Sequence, residues 1–378
     1  MNSKIWLSAP HIGKTEEKYV KQAFTENWIA PVGPQLLEFE SAIDGYLKNS
    51  SFSTALSSGT AAIHLALTLL DVKAGDEVIC QSFTFCATAN PITYLGAIPV
   101  FIDSELETWN MCPVVLEAAI KERIKKNKKP KAIIFVDLYG MPAKIDEIIK
   151  IASAYGIPVI EDAAEALGST YKNRKCGTFG QFSIFSFNGN KIITTSGGGA
   201  LISRNKAFQE RALFYATQAK EPETHFQHQY IGFNYRLSNV CAAIGKGQME
   251  VLEMRIAQRQ ANHQFYEKLF QENQDIRVFK SPNESYQPNY WLTCILINKT
   301  ASFSPIDLIN HLLHHNIEAR QLWKPLHLQP VFNNSPYYGG SVCEDLFNCG
   351  VCLPSGSNLT PNDLLRIAEA LSKFVKRK

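Results

Sequence analysis

The chain reads as an α/β protein in which a mostly parallel sheet lies between helices and a smaller α+β unit follows. Three observations lead to that reading. Short apolar runs alternate with helical segments between Glu77 and Phe187, the pattern of buried parallel strands joined by helical crossovers. Polar or glycine-rich turns follow several of these runs, where open α/β sheets bind their ligands. Beyond Gln248 the texture changes to one long helix and a shorter set of elements. The expected division is therefore an arm and large domain over residues 1–248 and a small domain over 249–378.

In order, Glu16 to Asn27 alternates charged and apolar residues at helical spacing. Trp28-Ile29-Ala30-Pro31-Val32-Gly33-Pro34 breaks the chain, and a second helix is expected over Gln35 to Leu47. Thr54-Ala55-Leu56 reads as a short strand that turns through Ser57-Ser58-Gly59-Thr60 into an alanine- and leucine-rich helix. The amides of Gly59, Thr60 and Ala61 then stand at a helix N-terminus, where unpaired N–H groups favour an anion. Plain N-capping by Ser58 or Thr60 is the competing reading. Strands are expected at Glu77–Cys80, Ile98–Ile102, Lys131–Val136, Pro158–Ile160 and Phe182–Phe187, with helices at Ala87–Tyr94, Pro113–Lys126 and Ile145–Tyr155. A long helix from Met249 to Gln274 leads to a strand Trp291–Ile297, a helix Pro305–His315, a strand Ile317–Leu322 and a final helix Asn362–Val375.

Three of the turns carry chemistry for one ring-shaped ligand. Lys191 stands where the strand Phe182–Phe187 gives out, ahead of Gly197-Gly198-Gly199. An ammonium at such a place is costly unless paired or neutralised; a lysine there suits a covalent link to a carbonyl cofactor, while this stretch alone is better read as a surface lysine at the mouth of a turn. Asp162 follows a buried strand and suits a protonated pyridine nitrogen. Phe85, in Gln81-Ser82-Phe83-Thr84-Phe85, offers a ring face for stacking, or simply a core side chain.

Composition excludes several classes. The hydrophobic fraction of 45% and charged fraction of 19% are those of a soluble globular protein. The net charge is +3, and the basic run Lys121 to Lys131 lacks interleaved aromatics, so no nucleic-acid partner is expected. The nine cysteines follow no metal-ligand spacing, and no metal is expected. No apolar run is long enough to span a bilayer, and Met1 to Pro10 lacks the apolar core of a secretory signal. A cytoplasmic protein without membrane partners is the expectation.

At these residues the sequence closely resembles the DegT/DnrJ/EryC1/StrS family of pyridoxal-phosphate sugar aminotransferases, which have the fold-type-I, aspartate aminotransferase-like architecture. The marks are Ser-Ser-Gly-Thr-Ala-Ala at 57–62, Phe-Thr-Phe-Cys-Ala-Thr-Ala-Asn at 83–90 and Glu-Asp-Ala-Ala-Glu-Ala-Leu-Gly at 161–168. Ser-Phe-Asn-Gly-Asn-Lys at 186–191, Gly-Phe-Asn-Tyr-Arg-Leu-Ser-Asn at 232–239 and Pro-Leu-His-Leu-Gln-Pro at 325–330 complete them. The resemblance implies pyridoxal 5′-phosphate as cofactor, Lys191 as its covalent holder and Asp162 as partner of its pyridine nitrogen. It places Gly59, Thr60 and Ser186 on the phosphate and Phe85 on the ring. Glu165 stands where the family often has Gln, near the O3′ hydroxyl. Asn234 is implied to reach the phosphate of a neighbouring subunit, in a homodimer whose sites lie at the interface; Arg236 is as well read as structural.

The family's usual donor is L-glutamate, and its acceptor is a nucleotide-linked keto sugar. Ile5-Trp6-Leu7-Ser8-Ala9-Pro10-His11, Trp28-Ile29-Ala30-Pro31 and the Asn188-Gly189-Asn190-Lys191 spelling resemble the branch acting on UDP-linked 4-keto-6-deoxy-N-acetylglucosamine, on the way to bacillosamine and legionaminic acid. Ile29, Ala30 and His327 are the candidate substrate residues, each with a structural alternative. A dTDP- or GDP-linked keto sugar, or a binding protein that keeps the fold without catalysis, are the alternatives. Lysine at 191 sets the chain apart from relatives with histidine there, which resemble sugar dehydratases.

Overall fold

The computed structural model describes residues 3–48 and 51–375; residues 1–2 and 49–50 of the expected arm and 376–378 of the small domain lie outside the described set. Eight strands form the main sheet, in the order Phe52–Leu56, Gly199–Ser203, Phe182–Ser186, Val159–Asp162, Ala132–Val136, Glu77–Gln81, Ile98–Ile102, Tyr337–Tyr338. All neighbours pair in parallel except Gly199–Ser203, which runs antiparallel to both strands beside it. The pairing residues alternate between faces. Ile79, Val100, Ile133 and Phe135 pack against the helices Pro113–Lys125 and Ile145–Ala154. Cys80, Phe101, Ile134 and Ile184 pack with the helix Gly59–Leu69 on the other face. Both faces are covered, so the strands read as continuous apolar runs instead of alternating ones.

Several expectations shift. Ala87–Tyr94 is a 3₁₀ turn Cys86–Thr88 followed by a short helix Asn90–Tyr94. The long helix expected from Met249 is two, Asn239–Glu250 and Leu252–Leu269, broken at Val251, whose ψ of 4° leaves the helical region. Its expected tail to Gln274 stops at Leu269, and Asn273 Oδ1 accepts from the Asp275 and Ile276 amides where the chain turns into the strand Ile276–Val278. The strand expected over Ile317–Leu322 is reduced to Arg320–Gln321.

A second, antiparallel sheet is ordered Ile276–Val278, Thr293–Ile297, Gly350–Leu353, Arg320–Gln321. The helices Pro305–His314 and Pro361–Val375 bury Leu308, Leu312, Ile367 and Leu371 against it. The former opens with a capping box between Ser304 and Asp307. Strand pairings cross residue 248, among them Tyr286–Gln287 with Thr170–Tyr171. Tyr337–Tyr338 adds the edge strand of the main sheet, and Ile5 of the arm bridges to Ile317.

Candidate active site

The carboxyl ends of the parallel strands open into a cleft of about 750 Å³. Lys191, Asp162, Glu165, Gly59, Thr60, Phe85 and Ser186 all line it. Residues far apart in sequence therefore meet at one sheet edge.

The anion end is built by close backbone approach. Leu56, Gly199 and Ser186 share one row of the sheet. A Cβ on Gly199 would lie 2.4 Å from the amide nitrogen of Gly59, so only glycine lets the turn Ser58–Gly59 rest against that strand. The helix Gly59–Leu69 then starts beside Ser186, with a Cβ on Gly59 reaching 3.2 Å from that of Ser186. Ser58 is the cap, its Oγ accepting from the Ala61 amide at 3.0 Å. The Thr60 hydroxyl is thereby released from capping, and the helix N-terminus faces the cleft with its partial positive charge.

The carboxylate end is deeper. Asp162 ends its strand in the row between Val136 and Ile184 and is 4% exposed. Its Oδ2 accepts from the Thr88 hydroxyl at 2.8 Å and its Oδ1 from the Ala164 amide at 3.2 Å. Burial raises its pKa against those hydrogen bonds and the charge of Lys191. A cation placed opposite it would reverse that rise.

Between the two ends stands Lys191. Its Nζ lies 3.3 Å from Oε1 of Glu165 and 4.2 Å from the ring centroid of Trp291. The other Glu165 oxygen accepts from the Tyr139 amide at 2.7 Å. Burial pushes the Glu165 carboxyl up to about 7, partly offset by Lys191. The Trp291 indole donates to Asn190 O at 2.7 Å, and Ser8 Oγ donates to the same carbonyl at 2.6 Å. Phe85 is exposed on the cleft wall, its ring 5.4 Å from that of Trp323.

Four sequence candidates lie elsewhere. Ile29 is exposed, Ala30 bridges to Val32 and takes the Asn239 amide on its carbonyl, and neither lines the cleft of its own chain. His327 is drawn away from the cleft lining by three partners. Its Nδ1 meets Ser82 Oγ at 2.7 Å, its Nε2 meets Glu344 at 3.2 Å, and its ring stacks on Tyr337 at 3.7 Å. Asn234 is exposed, bridged to Thr217, and also outside this cleft. Arg236 is structural, pairing with the buried Glu40 and donating to Ala55 O at 3.2 Å. Sequence reading missed Thr88, Trp291, Trp323 and Arg320, which line the cleft, and named Leu7 and Ser8 only within a resembling segment. Of these, Thr88 was within reach, since it sits in the same motif as Phe85.

A helix start flanked by Ser186 suits a phosphate. A buried carboxylate suits a protonated ring nitrogen, and a lysine between them suits a carbonyl. This donor set fits pyridoxal phosphate, with the phosphate on Gly59, Thr60 and Ser186. Such a fold and site define a fold-type-I aminotransferase. The model of the DegT/DnrJ/EryC1/StrS aminotransferase family matches residues 10–372, and the chain belongs to that family; its cofactor is pyridoxal 5′-phosphate.

Among curated relatives, the chain is 52% identical over 375 residues to EpsN of Bacillus subtilis (strain 168), a protein whose name describes a pyridoxal phosphate-dependent aminotransferase. That match covers 98% of this chain and 96% of the relative. It is 36% identical to the GDP-perosamine synthase of Escherichia coli O157:H7, covering 98% of each. Among solved structures, a family aminotransferase from Brucella abortus superposes with a TM-score of 0.88 at 29% identity over 95% of each chain. Helicobacter pylori PseC, at 24% identity, shares the fold with a TM-score of 0.90 over 100% of each chain.

Proposed function

We propose that this sugar aminotransferase moves an amino group from L-glutamate to C4 of a UDP-linked 4-keto-6-deoxy sugar, UDP-2-acetamido-2,6-dideoxy-4-hexulose. The observation that carries the substrate is where two segments lie. Leu7 and Ser8 of the arm, and Asn188 and Asn190 before the lysine, line the cleft beside Lys191. They belong to two of the three segments whose spelling resembles the UDP-N-acetyl-sugar branch, the third, Trp28-Ile29-Ala30-Pro31, lying outside this cleft.

Bound pyridoxal phosphate supplies a carbonyl for covalent amine capture and an electron sink for the carbon that loses its proton. The chain's residues supply the rest. Asp162, kept in place by Thr88 and the Ala164 amide, would hold the ring nitrogen in its protonated form. Lys191 would hold the cofactor's carbonyl and, once free, its Nζ would be the base that takes the proton from the donor's α-carbon. Glu165 and Trp291 confine that Nζ to one side of the cleft. Water releases 2-oxoglutarate before the keto sugar enters, and the keto sugar then takes the retained nitrogen with loss of water, giving the amino sugar.

The active unit in this reading is a homodimer in the cytoplasm. Asn234, Ile29 and Ala30 are exposed and outside their own cleft, which supports their reaching a partner's cleft. No helix among the described residues is long and apolar enough to cross a membrane.

The relation to a GDP-perosamine synthase favours a second reading, a GDP-linked 4-keto sugar. The two separate in one titration. Glutamate should bleach the cofactor's visible band, and the UDP-linked keto sugar should restore it at lower concentration than GDP- or dTDP-linked ones. Restoration by the GDP-linked sugar alone would install the second reading.

A further inference from the structure

The helix Leu252–Leu269 is polar on a face that is buried. Arg255, Arg259, Asn262 and Tyr266 follow one another at successive turns, and all are under 10% exposed. Each donates to backbone carbonyls of another segment. Arg255 holds His11 O at 3.3 Å and Ile12 O at 3.0 Å. Asn262 holds Ser355 O and Gly356 O, and Tyr266 holds Pro354 O. Hydrogen bonds of this kind let most of a polar stripe be buried, although Arg255 Nε is left without a partner.

Arg255 and Arg259 are the charged members of this stripe, and Arg259 is the one whose contacts reach the backbone of Lys191. It is 1% exposed and forms no salt bridge among the described residues. Its Nη1 donates to Trp291 O at 2.5 Å, and its Nη2 donates to Ser8 Oγ at 2.9 Å and contacts Lys191 O at 3.4 Å. Its Nε is buried without a partner. A buried guanidinium held only by neutral oxygens is destabilising relative to an apolar side chain of similar size. Local rules are broken in this way chiefly where a site needs it.

What the guanidinium joins is informative. Trp291 is the ring beneath the Lys191 ammonium, and its indole is tied to Asn190 O, one residue before the lysine. Ser8 is tied to the same Asn190 carbonyl. Arg259 thus holds the backbone under the lysine, the backbone under the aromatic ring and the hydroxyl of the arm at once. Arg259 itself does not line the cleft.

We propose that Arg259 is a positioning residue that fixes Lys191 against the face of Trp291 and transmits the seating of the N-terminal arm to the lysine. The proposal rests on the reading that Lys191 Nζ carries the proton. A misplacement of about 1 Å at such a group lowers rates by roughly 100-fold. Removing a nearby cation also makes it easier to protonate groups in the cleft.

The test uses the holoenzymes of Arg259→Met, Arg259→Lys and Arg259→Ala. Single-turnover bleaching of the visible band by L-glutamate should slow at saturation by about tenfold or more in Arg259→Met, with the half-saturating concentration changed less than about threefold. The pH at which the band of the resting holoenzyme changes should move upward in Arg259→Met and stay near the wild-type value in Arg259→Lys. Millimolar guanidinium ion should restore rate to Arg259→Ala. If Arg259→Met fails to fold, the Arg259→Lys and Arg259→Ala measurements decide. A folded Arg259→Met with wild-type rate and band transition overturns the proposal. So does loss confined to half-saturation, or the absence of guanidinium rescue. Failure of wild type to be bleached by glutamate would instead overturn the donor assignment, and it would leave the band-transition and rescue measurements readable with other amines.

Discussion

Lys191 Nζ stands 3.3 Å from Oε1 of Glu165, the carboxylate buried and the lysine partly so. The carboxyl is pushed up to about 7 from an ordinary 4.5, first by burial and against the pull of Lys191. A folded pKa above the unfolded one means that the folded chain binds the proton more tightly. Glu165 therefore contributes stability that is complete below pH 4.5 and is lost as pH rises through about 7. In the cofactor-free protein the loss is about 3 kcal/mol, at about 1.4 kcal/mol per pH unit. Glu165→Gln keeps an acceptor for Tyr139 N–H and removes the titration. Urea unfolding at pH 4.5 and 8 should show wild type losing about 3 kcal/mol relative to the variant; parallel curves would contradict this.

The Ser58 cap and the glycine pair behind it separate folding from cofactor binding. Ser58→Ala should cost about 1 kcal/mol of stability through the lost cap, read as a lower thermal midpoint in the cofactor-free protein. Gly59→Ala crowds Ser186 and should weaken retention of pyridoxal phosphate by about tenfold, measured by dialysis and visible absorbance. A Gly59→Ala protein that retains the cofactor like wild type would remove this turn from the phosphate site.

The parts of the site that lie on the parallel strands were legible in sequence. Asp162 and Lys191 each follow a buried apolar run, and Ser57 to Ala62 spells a strand–turn–helix. The parts contributed from beyond Gln248 were not. Trp291 and Trp323 reach the cleft because the antiparallel sheet docks there, a tertiary fact with no local pattern. Arg259 falls on a buried face that hydropathy reads as exposed. His327 carried a motif but no sign that Ser82, Glu344 and Tyr337 would occupy its ring. The strand Gly199–Ser203 hid behind a glycine run that reads as a loop, although those glycines are what let it pair so closely with Leu56 and Ser186.

His327→Ala removes a ring held by three partners. The expected result is a lower thermal midpoint, from about 1–3 kcal/mol of lost packing and hydrogen bonding, with the KM for keto sugar changed less than about twofold. A large rise in KM at unchanged stability would return His327 to the substrate.

Asn234 tests the shared site. Asn234→Ala and Lys191→Ala should each be nearly inactive, the former through weakened cofactor phosphate binding. Mixed and refolded together they should recover about a quarter of wild-type activity, from hybrid dimers that carry one intact site. Failure to complement, with mixed dimers shown by mass spectrometry, would place Asn234 in its own chain's structure.

The most direct measurement supplies ¹⁵N-labelled L-glutamate and UDP-2-acetamido-2,6-dideoxy-4-hexulose to the wild-type holoenzyme and to Lys191→Ala, and locates the label in the product by NMR. Labelled nitrogen on C4 of the sugar with wild type, and none with Lys191→Ala, is the expected result. Label on C4 at the normal rate with Lys191→Ala, or on another carbon or no sugar carbon with wild type, would contradict the account.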